Sequence, residues 1–190
     1  MYSLFIDTHD KSVVIILFKD GKIISIRNIE SKNKHSEITM PLIDEVIKEG
    51  KIDVKDLNSV IVVNGPGSFT GERIAVTIGK TIAYLLNIPI RVIDSLKILA
   101  INVDDDTKNV AITDRNGAFV GVFDSNNQQV GELSYMNKST YQEYCDKNKV
   151  YSEIDVDYEK VYQEAMKEKK LNPHEVKPLY VKGISALNDK

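Results

Sequence analysis

Residues 62–74 read VVNGPGSFTGERI, an apolar strand that runs into a glycine-rich loop and then into a helix. Backbone N–H groups and the helix dipole favour an anion at such a junction. The loop is not a phosphate-binding P-loop, because its outer glycines enclose five residues and Glu72 stands where that motif needs lysine. It also lacks the Gly-x-Ser-x-Gly spacing of a nucleophile elbow. The residues alone therefore favour a turn that matters through its shape, with Ser68 or Thr70 capping the helix.

The sequence before this loop predicts three antiparallel strands and a helix. The strand-like runs are residues 3–7, 12–18 and 22–29. Asp20-Gly21 joins the last two, and Asp-Gly is a strong signal for a hairpin. Apolar residues then recur at helical spacing from Ile38 to Ile47, with Ser36 as the predicted N-cap and Gly50 at the far end.

A second helix is predicted over residues 71–86, followed by a strand at 90–93 and a short helix from Ser95. After Asp104 a similar order of elements begins again. We expect strands at 109–114, 118–124 and 128–135, and helices at 139–148 and 157–170. The pattern predicts an α/β protein with two related lobes, residues 1–103 and 104–190.

Composition narrows the classes of function. The chain has 190 residues, 42% hydrophobic and 28% charged, and a net charge of −3, so it lacks the basic excess typical of nucleic-acid-binding proteins. Its single cysteine, Cys145, excludes an internal disulfide. No run approaches the ~20 apolar residues of a membrane span. Because the first residues also lack a basic signal-peptide head, we expect a cytoplasmic protein without a membrane segment.

The second predicted helix carries two apolar stripes. Small side chains recur every four residues at Ala75, Gly79 and Ala83, and a bulkier stripe runs beside them from Ile74 to Leu85. Small residues allow another element to approach closely, either a subunit or this chain's own sheet. Two stripes on one helix indicate that it is covered on more than one side.

Catalytic and metal-binding patterns are weak. His35 is followed four residues later by Thr39, so the His-x-x-x-His pair of a helical metal site is missing. Asp7 and Asp114 end strands at matching places in the two lobes, where they could hold hydrated Mg²⁺ or cap turns. Cys145, Ser68 and three scattered histidines form no recognisable nucleophile–base set. We therefore predict no catalytic residue and no metal site.

Residues 62–74 resemble the signature of the bacterial TsaB (YeaZ) family. Further matches lie at residues 5–8, 34–37, 41–45 and 86–90, with thinner ones at 113–115 and 178–181. Two features depart from the family pattern, since Glu72 replaces an apolar residue and the second lobe is short. The resemblance implies an actin/hexokinase/Hsp70-like (ribonuclease H-like) two-lobed fold with a shortened second lobe.

The resemblance also implies a noncatalytic subunit that binds and stabilises a TsaD-like catalytic subunit, together with a TsaE-like ATPase. That assembly modifies adenosine 37 of tRNA to N6-threonylcarbamoyladenosine. The resemblance further implies that the isolated chain forms a homodimer and that it contacts tRNA only through the complex. It implies no cofactor for the chain itself, with ATP and Mg²⁺ possible in the assembled complex. Active ATPases of this fold have a glycine shortly after the first strand, whereas Thr8, His9 and Asp10 stand here. The alternatives are a kinase-like phosphotransferase of the same fold, or a homodimeric binding module without an enzymatic partner.

Two sets of site residues follow from these interpretations. The predicted partner-binding residues are Ile38, Leu42, Ala75, Gly79 and Ala83. The loop residues expected to act through shape, with a nucleotide contact in the complex as a further role, are Gly65, Pro66, Gly67, Ser68, Thr70, Gly71 and Arg73.

Overall fold

A computed structural model of the chain describes residues 1–32 and 34–181. Its first sheet has five strands in the order β3-β2-β1-β4-β5. They are β1 (Tyr2–Asp7), β2 (Ser12–Lys19), β3 (Lys22–Glu30), β4 (Leu57–Val63) and β5 (Ile90–Ile93). The first three are antiparallel, whereas β4 and β5 run parallel to β1. The predicted hairpin is confirmed, with both Asp20 and Gly21 at positive φ.

Helices cover both faces of this sheet. On one face lie α1 (His35–Glu49) and α2 (Phe69–Leu86), which bury Val46 and Ala75 against β1, β2 and β4. The prediction that Ser36 caps α1 is wrong, because the helix begins one residue earlier and its N-cap position, Lys34, makes no side-chain capping bond. Gly50 ends α1 as predicted.

The second sheet has four strands in the order β8-β7-β6-β9. They are β6 (Thr107–Thr113), β7 (Gly117–Asp124), β8 (Ser134–Asn137) and β9 (Val150–Tyr151), and α4 (Lys138–Lys147) packs against one face. The strand predicted at 128–135 begins only at Ser134. Before it, Gln129 forms an isolated antiparallel bridge with Phe123, and the Val130 N–H donates to the Val122 carbonyl at 2.8 Å, but this pairing breaks at Gly131, whose φ is +75°.

The two predicted lobes are interleaved in packing. Helix α3 (Ser95–Ile101) lies between the sheets, with Ile98 in the first core and Leu96 in the second. Helix α5 (Tyr158–Lys167) returns to the first sheet, where the Tyr162 ring lies 4.7 Å from that of Phe18. A boundary after residue 103 therefore does not separate two packing units. Residues 182–190 of the predicted second lobe lie outside the described residues.

The segment 171–181, which we call the C-terminal strap, also returns to the first sheet. The Leu171 N–H donates to the carbonyl of Ile90 at 2.9 Å, and Leu179 N–H donates to the Asn64 carbonyl at 2.7 Å. Between them, Val176 is buried in the core beneath α2. The strap is thereby attached to β5 at Leu171 and to the residue after β4 at Leu179. Within residues 1–32 and 34–181, no helix is long and apolar enough to span a bilayer.

Candidate functional site

The glycine-rich loop is held by contacts to α3 and to the turn after β1. Gly65 has φ of +111°, a conformation that favours glycine, and the Gly65–Pro66 peptide is cis. The Ser95 N–H donates to the Gly65 carbonyl at 2.8 Å, and Ser95 Oγ donates to the Pro66 carbonyl at 2.5 Å. The first half of the loop is thus fixed to the start of α3.

Gly67 and Gly71 are required for a different reason, the close approach of two backbone segments. A Cβ on Gly67 would overlap the carbonyl oxygen of His9, and one on Gly71 would overlap that of Thr8. Ser68 N–H donates to the same His9 carbonyl at 2.7 Å. Thr8 Oγ1 donates to the Gly71 carbonyl at 2.5 Å, which joins the turn to α2. These contacts support the prediction that the loop acts through its shape.

Ser68 is the N-cap of α2, as one of the two predicted capping residues. Its Oγ accepts from the Gly71 N–H at 3.3 Å, while its backbone carbonyl accepts from Glu72. The hydroxyl makes no hydrogen bond to a histidine among the described residues. Thr70, the other candidate, is exposed on the first turn of the helix.

A buried cluster of ionisable side chains lies beside the loop. The Nδ1 of His9 donates to the Asp7 carboxylate at 2.6 Å, and Asp7 also accepts from the His9 backbone N–H at 3.0 Å. Burial opposes protonation of His9, but Asp7, Asp10 and Glu72 together leave its pKa above the ordinary value. Burial raises the pKa of Glu72 to about 7, against the opposing effects of a hydrogen bond from the Gly67 backbone and the charge of His9. Such perturbed groups in a cavity mark a candidate site.

This cluster opens into the central cavity, a space of about 420 Å³ between the two sheets. Its polar wall includes His9, His35 and Asp114, and its apolar wall includes Phe69 and Phe119. The C-terminal strap closes one side with Leu179, Tyr180 and Val181. The cavity therefore joins both sheets, the glycine-rich loop and the strap.

Asp7 and Asp114 both lie at the ends of strands as predicted, and both cap turns. The Asp114 carboxylate accepts from the backbone N–H groups of Asn116 and Gly117 at 2.7 Å and from the Tyr135 hydroxyl at 2.8 Å. No group of three or more His, Cys, Asp or Glu side chains suited to a metal ion occurs in the described part of the chain.

The sequence reasoning missed the histidine pair of this cavity. The histidines are scattered along the sequence, yet His9 and His35 both line the cavity, and His35 Nε2 donates to the Asp10 carbonyl at 2.7 Å. The position of His9 in the predicted strand order is the signal that could have located it. His9 follows β1 directly, and the turn after β1 meets the loop after the parallel neighbour β4 at the same edge of the sheet.

The predicted partner-binding stripe is wrong in its direction. Ala75, Gly79 and Ala83 face the first sheet; both alanines are fully buried, and a Cβ on Gly79 would overlap Val62. Leu42 is also buried in that core, and Ile38 packs against it from α1. The small side chains bring α2 close to the chain's own strands, the alternative that the pattern left open.

The opposite face of α1 and α2 is exposed and carries a groove of about 380 Å³, called here the helix groove. It is lined by Ser36, Thr70, Arg73, Ile74, Thr77 and Ile78. Other apolar side chains of the two helices are exposed to solvent, with Met40 50% exposed on α1 and Leu85 73% exposed on α2. The bulkier stripe therefore faces outward at both ends.

Arg73 connects the helix groove to the central cavity. Its guanidinium lies 3.7 Å from the centroid of the Phe69 ring, and its Nε donates to the Tyr180 hydroxyl at 3.0 Å. The Phe69 and Tyr180 rings are themselves 5.3 Å apart. Both rings line the central cavity, while Arg73 lines the groove.

The sequence is similar to one family over most of its length. The family described as TsaD: tRNA N6-adenosine threonylcarbamoyltransferase matches residues 26–179. The tRNA threonylcarbamoyladenosine biosynthesis protein TsaB of Bacillus subtilis (strain 168) is 37% identical over 102 residues, which cover 54% of this chain and 44% of that protein. The TsaB of Escherichia coli (strain K12) is 26% identical over 100 residues, 53% of this chain and 43% of that protein. The chain thus spans about half the length of the curated relatives it matches.

Two solved structures from Pseudomonas aeruginosa share the fold. One, described as an uncharacterized protein with similarity to peptidase YEAZ, has a TM-score of 0.80 at 16% identity and covers 95% of this chain and 99% of that one. YeaZ itself has a TM-score of 0.77 at 17% identity, with 94% and 99% covered. The chain therefore shares the mixed α/β, two-sheet fold of these two structures, in agreement with the predicted α/β class.

Proposed function

The chain belongs to the tRNA N6-adenosine threonylcarbamoyltransferase family as a TsaB (YeaZ)-type member, and from this premise we propose that it acts in the biosynthesis of threonylcarbamoyladenosine in tRNA. In this proposal it is the noncatalytic partner that binds and stabilises a TsaD-like catalytic subunit in the cytoplasm, with a TsaE-like ATPase as the third component. ATP and Mg²⁺ act in the assembled complex, and the chain contacts tRNA only as part of that complex.

The observation that carries the proposal is the exposed apolar face of α1 and α2. Ile74 and Ile78 line the helix groove, and Met40 of α1 is half exposed. Contiguous apolar surface of this kind is typical of protein–protein contacts. Since the small-residue stripe is used inside the fold, this outer face is the docking surface we propose.

The central cavity supports a noncatalytic role. The turn after β1 lies so close to the glycine-rich loop that a Cβ atom on Gly71 or Gly67 would overlap the carbonyl oxygen of Thr8 or His9. In an active ATPase of this fold, we expect the phosphate to need room at this place. The Ser68 hydroxyl caps the helix, and no described Ser, Thr or Cys side chain hydrogen-bonds to the His9 ring. The Ser31 hydroxyl lies 3.0 Å from His35 Nδ1, but it donates its hydrogen to the Lys11 carbonyl at 2.9 Å. A peptidase would need a hydroxyl or thiol that donates to its histidine.

The proposal is tested by mixing the purified chain with the TsaD-like protein of the same organism and measuring association by calorimetry. We expect saturable binding, and ATP turnover by the isolated chain no higher than in buffer. Absence of binding would overturn the proposal. ATP turnover that persists through repurification and is lost in Asp7→Ala would instead favour the kinase-like alternative.

A further inference from the structure

Strand β3 is an outer edge of the first sheet, and its exposed surface is apolar. Among the described residues it pairs with β2 alone. Ile24, Ile26 and Ile29 are each more than one-third exposed. An edge strand presents unpaired backbone N–H and C=O groups, and a long apolar edge is a template on which another strand can pair. The edge of β3 is therefore a candidate surface for strand pairing.

The register of β3 against β2 determines which backbone groups face outward. Lys19 and Lys22 flank the two-residue turn, so they form a hydrogen-bonded pair, and the two kinds of pair alternate from there. With the bulge in β3 counted, the N–H and C=O groups of Ile23, Ile26 and Asn28 point away from β2. These are the donors and acceptors that a further strand would use.

The outward carbonyl of Ile26 is occupied by a neighbouring side chain. It accepts a hydrogen bond from Arg27 Nη1 at 3.0 Å. The same guanidinium is held by two carboxylates of α1, with Nε 2.9 Å from Glu45 and Nη1 2.7 Å from Glu49. Arg27 therefore holds a fixed positive charge against the outer edge of the strand.

The turn end of the edge is covered in a similar way from α5. The Ile23 N–H donates to the Glu159 carboxylate at 3.3 Å, and Lys22 Nζ donates to the same carboxylate at 2.6 Å. Charged side chains thus bond to the backbone of two of the three outward-facing residues, and Asn28 lies beyond them toward the far end of the strand.

A second copy of this strand is the partner that fits the edge. β3 begins with Lys22 and ends with Glu30, so antiparallel pairing of two copies brings the lysine of one toward the glutamate of the other at both ends. Parallel pairing would place like charges together. Two antiparallel β3 strands are related by a two-fold axis, which closes the assembly as a dimer.

We infer that β3 is a pairing surface for a second copy of the chain, and that Arg27 keeps it closed by occupying the Ile26 carbonyl and placing a charge on the edge. Charged side chains are a common protection of edge strands, and a strand that paired here would have to displace this one from both carboxylates. Glu45 and Glu49 act as positioning residues for the guanidinium. The inference does not depend on the proposed contact with a TsaD-like protein, because β3 and the helix groove are different surfaces.

The test measures self-association of full-length variants by sedimentation velocity over a range of protein concentrations. Arg27→Thr removes the guanidinium and keeps a side chain suited to a strand, so we expect it to self-associate at least about tenfold more tightly than the wild type. Arg27→Lys retains a charge on the edge and should associate as the wild type does. Lys48→Gln, which breaks an ion pair with Asp44 on α1, is the control for loss of a surface charge. Thermal melting checks that each variant is folded.

A proline locates the association on the edge. Asn28→Pro removes an outward N–H but no bond to β2, so it should leave the fold intact and block pairing. Added to Arg27→Thr, it should return self-association to the wild-type level. In Arg27→Thr alone, exchange of the Asn28 amide hydrogen should slow as the protein concentration rises, because pairing gives that N–H an acceptor.

Two outcomes would overturn the inference. One is wild-type self-association by a well-folded Arg27→Thr. The other is a gain that Asn28→Pro leaves unchanged, since the copies would then meet through another surface. If Arg27→Thr does not fold, the double variant Glu45→Gln, Glu49→Gln takes its place, because it keeps the arginine but releases it from α1. We expect a smaller gain there, again removed by Asn28→Pro, and the absence of any gain would count against the inference equally.

Discussion

The carboxyl group of Glu72 lies against the backbone of Gly65, where a Cβ atom at position 65 would stand 2.6 Å from the carboxyl carbon. Glu72 is 3% exposed and accepts a hydrogen bond from the Gly67 backbone. The acid that departs from the family signature is therefore inside the loop, where it fills the space that the glycine leaves. Its ionisation is coupled to the shape of the loop.

This burial predicts a pH dependence of stability. Since the pKa of Glu72 is raised from 4.5 to about 7, the folded chain holds more protons between these values, and the free energy of unfolding falls as pH rises through that range. One such group gives a slope of up to about 1.4 kcal/mol per pH unit.

In urea unfolding from pH 4.5 to 8, the free energy of unfolding of Glu72→Gln should fall less steeply than that of the wild type, and Glu72→Gln should be the more stable protein at pH 8. The exposed Glu37→Gln serves as control and should follow wild type. Asp94, whose pKa burial raises to about 6, contributes a slope of the same sign to all three proteins. Parallel wild-type and Glu72→Gln curves would contradict the assignment.

Gly79→Ala should destabilise the chain, although the same change inside an exposed helix stabilises it by about 1 kcal/mol. The new methyl group would overlap Val62 of β4, and overpacking of this kind costs about 1–3 kcal/mol. Thr77→Ala, on the exposed side of α2, should be nearly neutral. The urea midpoint, with an unchanged slope, measures the difference. A stabilised Gly79→Ala would mean that the helix can move off the sheet without cost.

In the glycine-rich loop, backbone contacts should outweigh side-chain chemistry. Gly71→Ala forces apart the carbonyl of Thr8 and the first turn of α2, so we expect loss of about 3 kcal/mol or more, or failure to fold. Ser68→Ala removes a single cap and should cost about 1 kcal/mol at most. Equilibrium unfolding compares the two. The reverse order of severity would make the Ser68 hydroxyl a chemical participant.

Tyr180→Phe should loosen the end of the C-terminal strap while preserving its packing. The substitution removes the acceptor of the Arg73 Nε hydrogen bond but keeps the ring against Phe69. Because Tyr180 is 46% exposed, we expect about 0.5 kcal/mol, the low end of the range for a hydrogen bond. Limited proteolysis near the strap should be faster in Tyr180→Ala than in Tyr180→Phe, since Ala also removes the ring contacts. Equal rates would show that the ring contributes nothing to the attachment.

Local patterns predicted the elements of the first sheet well. Alternation and the Asp20-Gly21 turn located β2 and β3, and Ser68 was identified as a cap because short polar side chains at such positions accept from exposed N–H groups. These features depend on neighbours in sequence. The strand predicted over 128–135 begins only at Ser134, because the pairing of Gln129 and Val130 with β7 is broken at Gly131, whose φ of +75° departs from strand geometry.

The direction of the small-residue stripe and the central cavity depended on distant contacts instead. Spacing at every fourth residue shows that something approaches α2 closely, but not whether Val62 or another molecule does so. Likewise, His9 and Glu72 are brought together only because β1 and β4 are parallel neighbours. Proximity of this kind comes from the order of the strands in the sheet, and the local sequence of either segment does not reveal that order.

The return of α5 and the C-terminal strap to the first sheet has a consequence during translation. Phe18 and Ile61 lie on the sheet face that α5 covers, yet Val161 and Tyr162 are synthesised only after the whole second sheet. At about 5–20 residues per second, the nascent chain carries that face without α5 for several seconds. Val176 enters the core on the other face later still. The ribosome-bound intermediate is thus an incomplete sheet with an open apolar side, the kind of surface on which chaperones act.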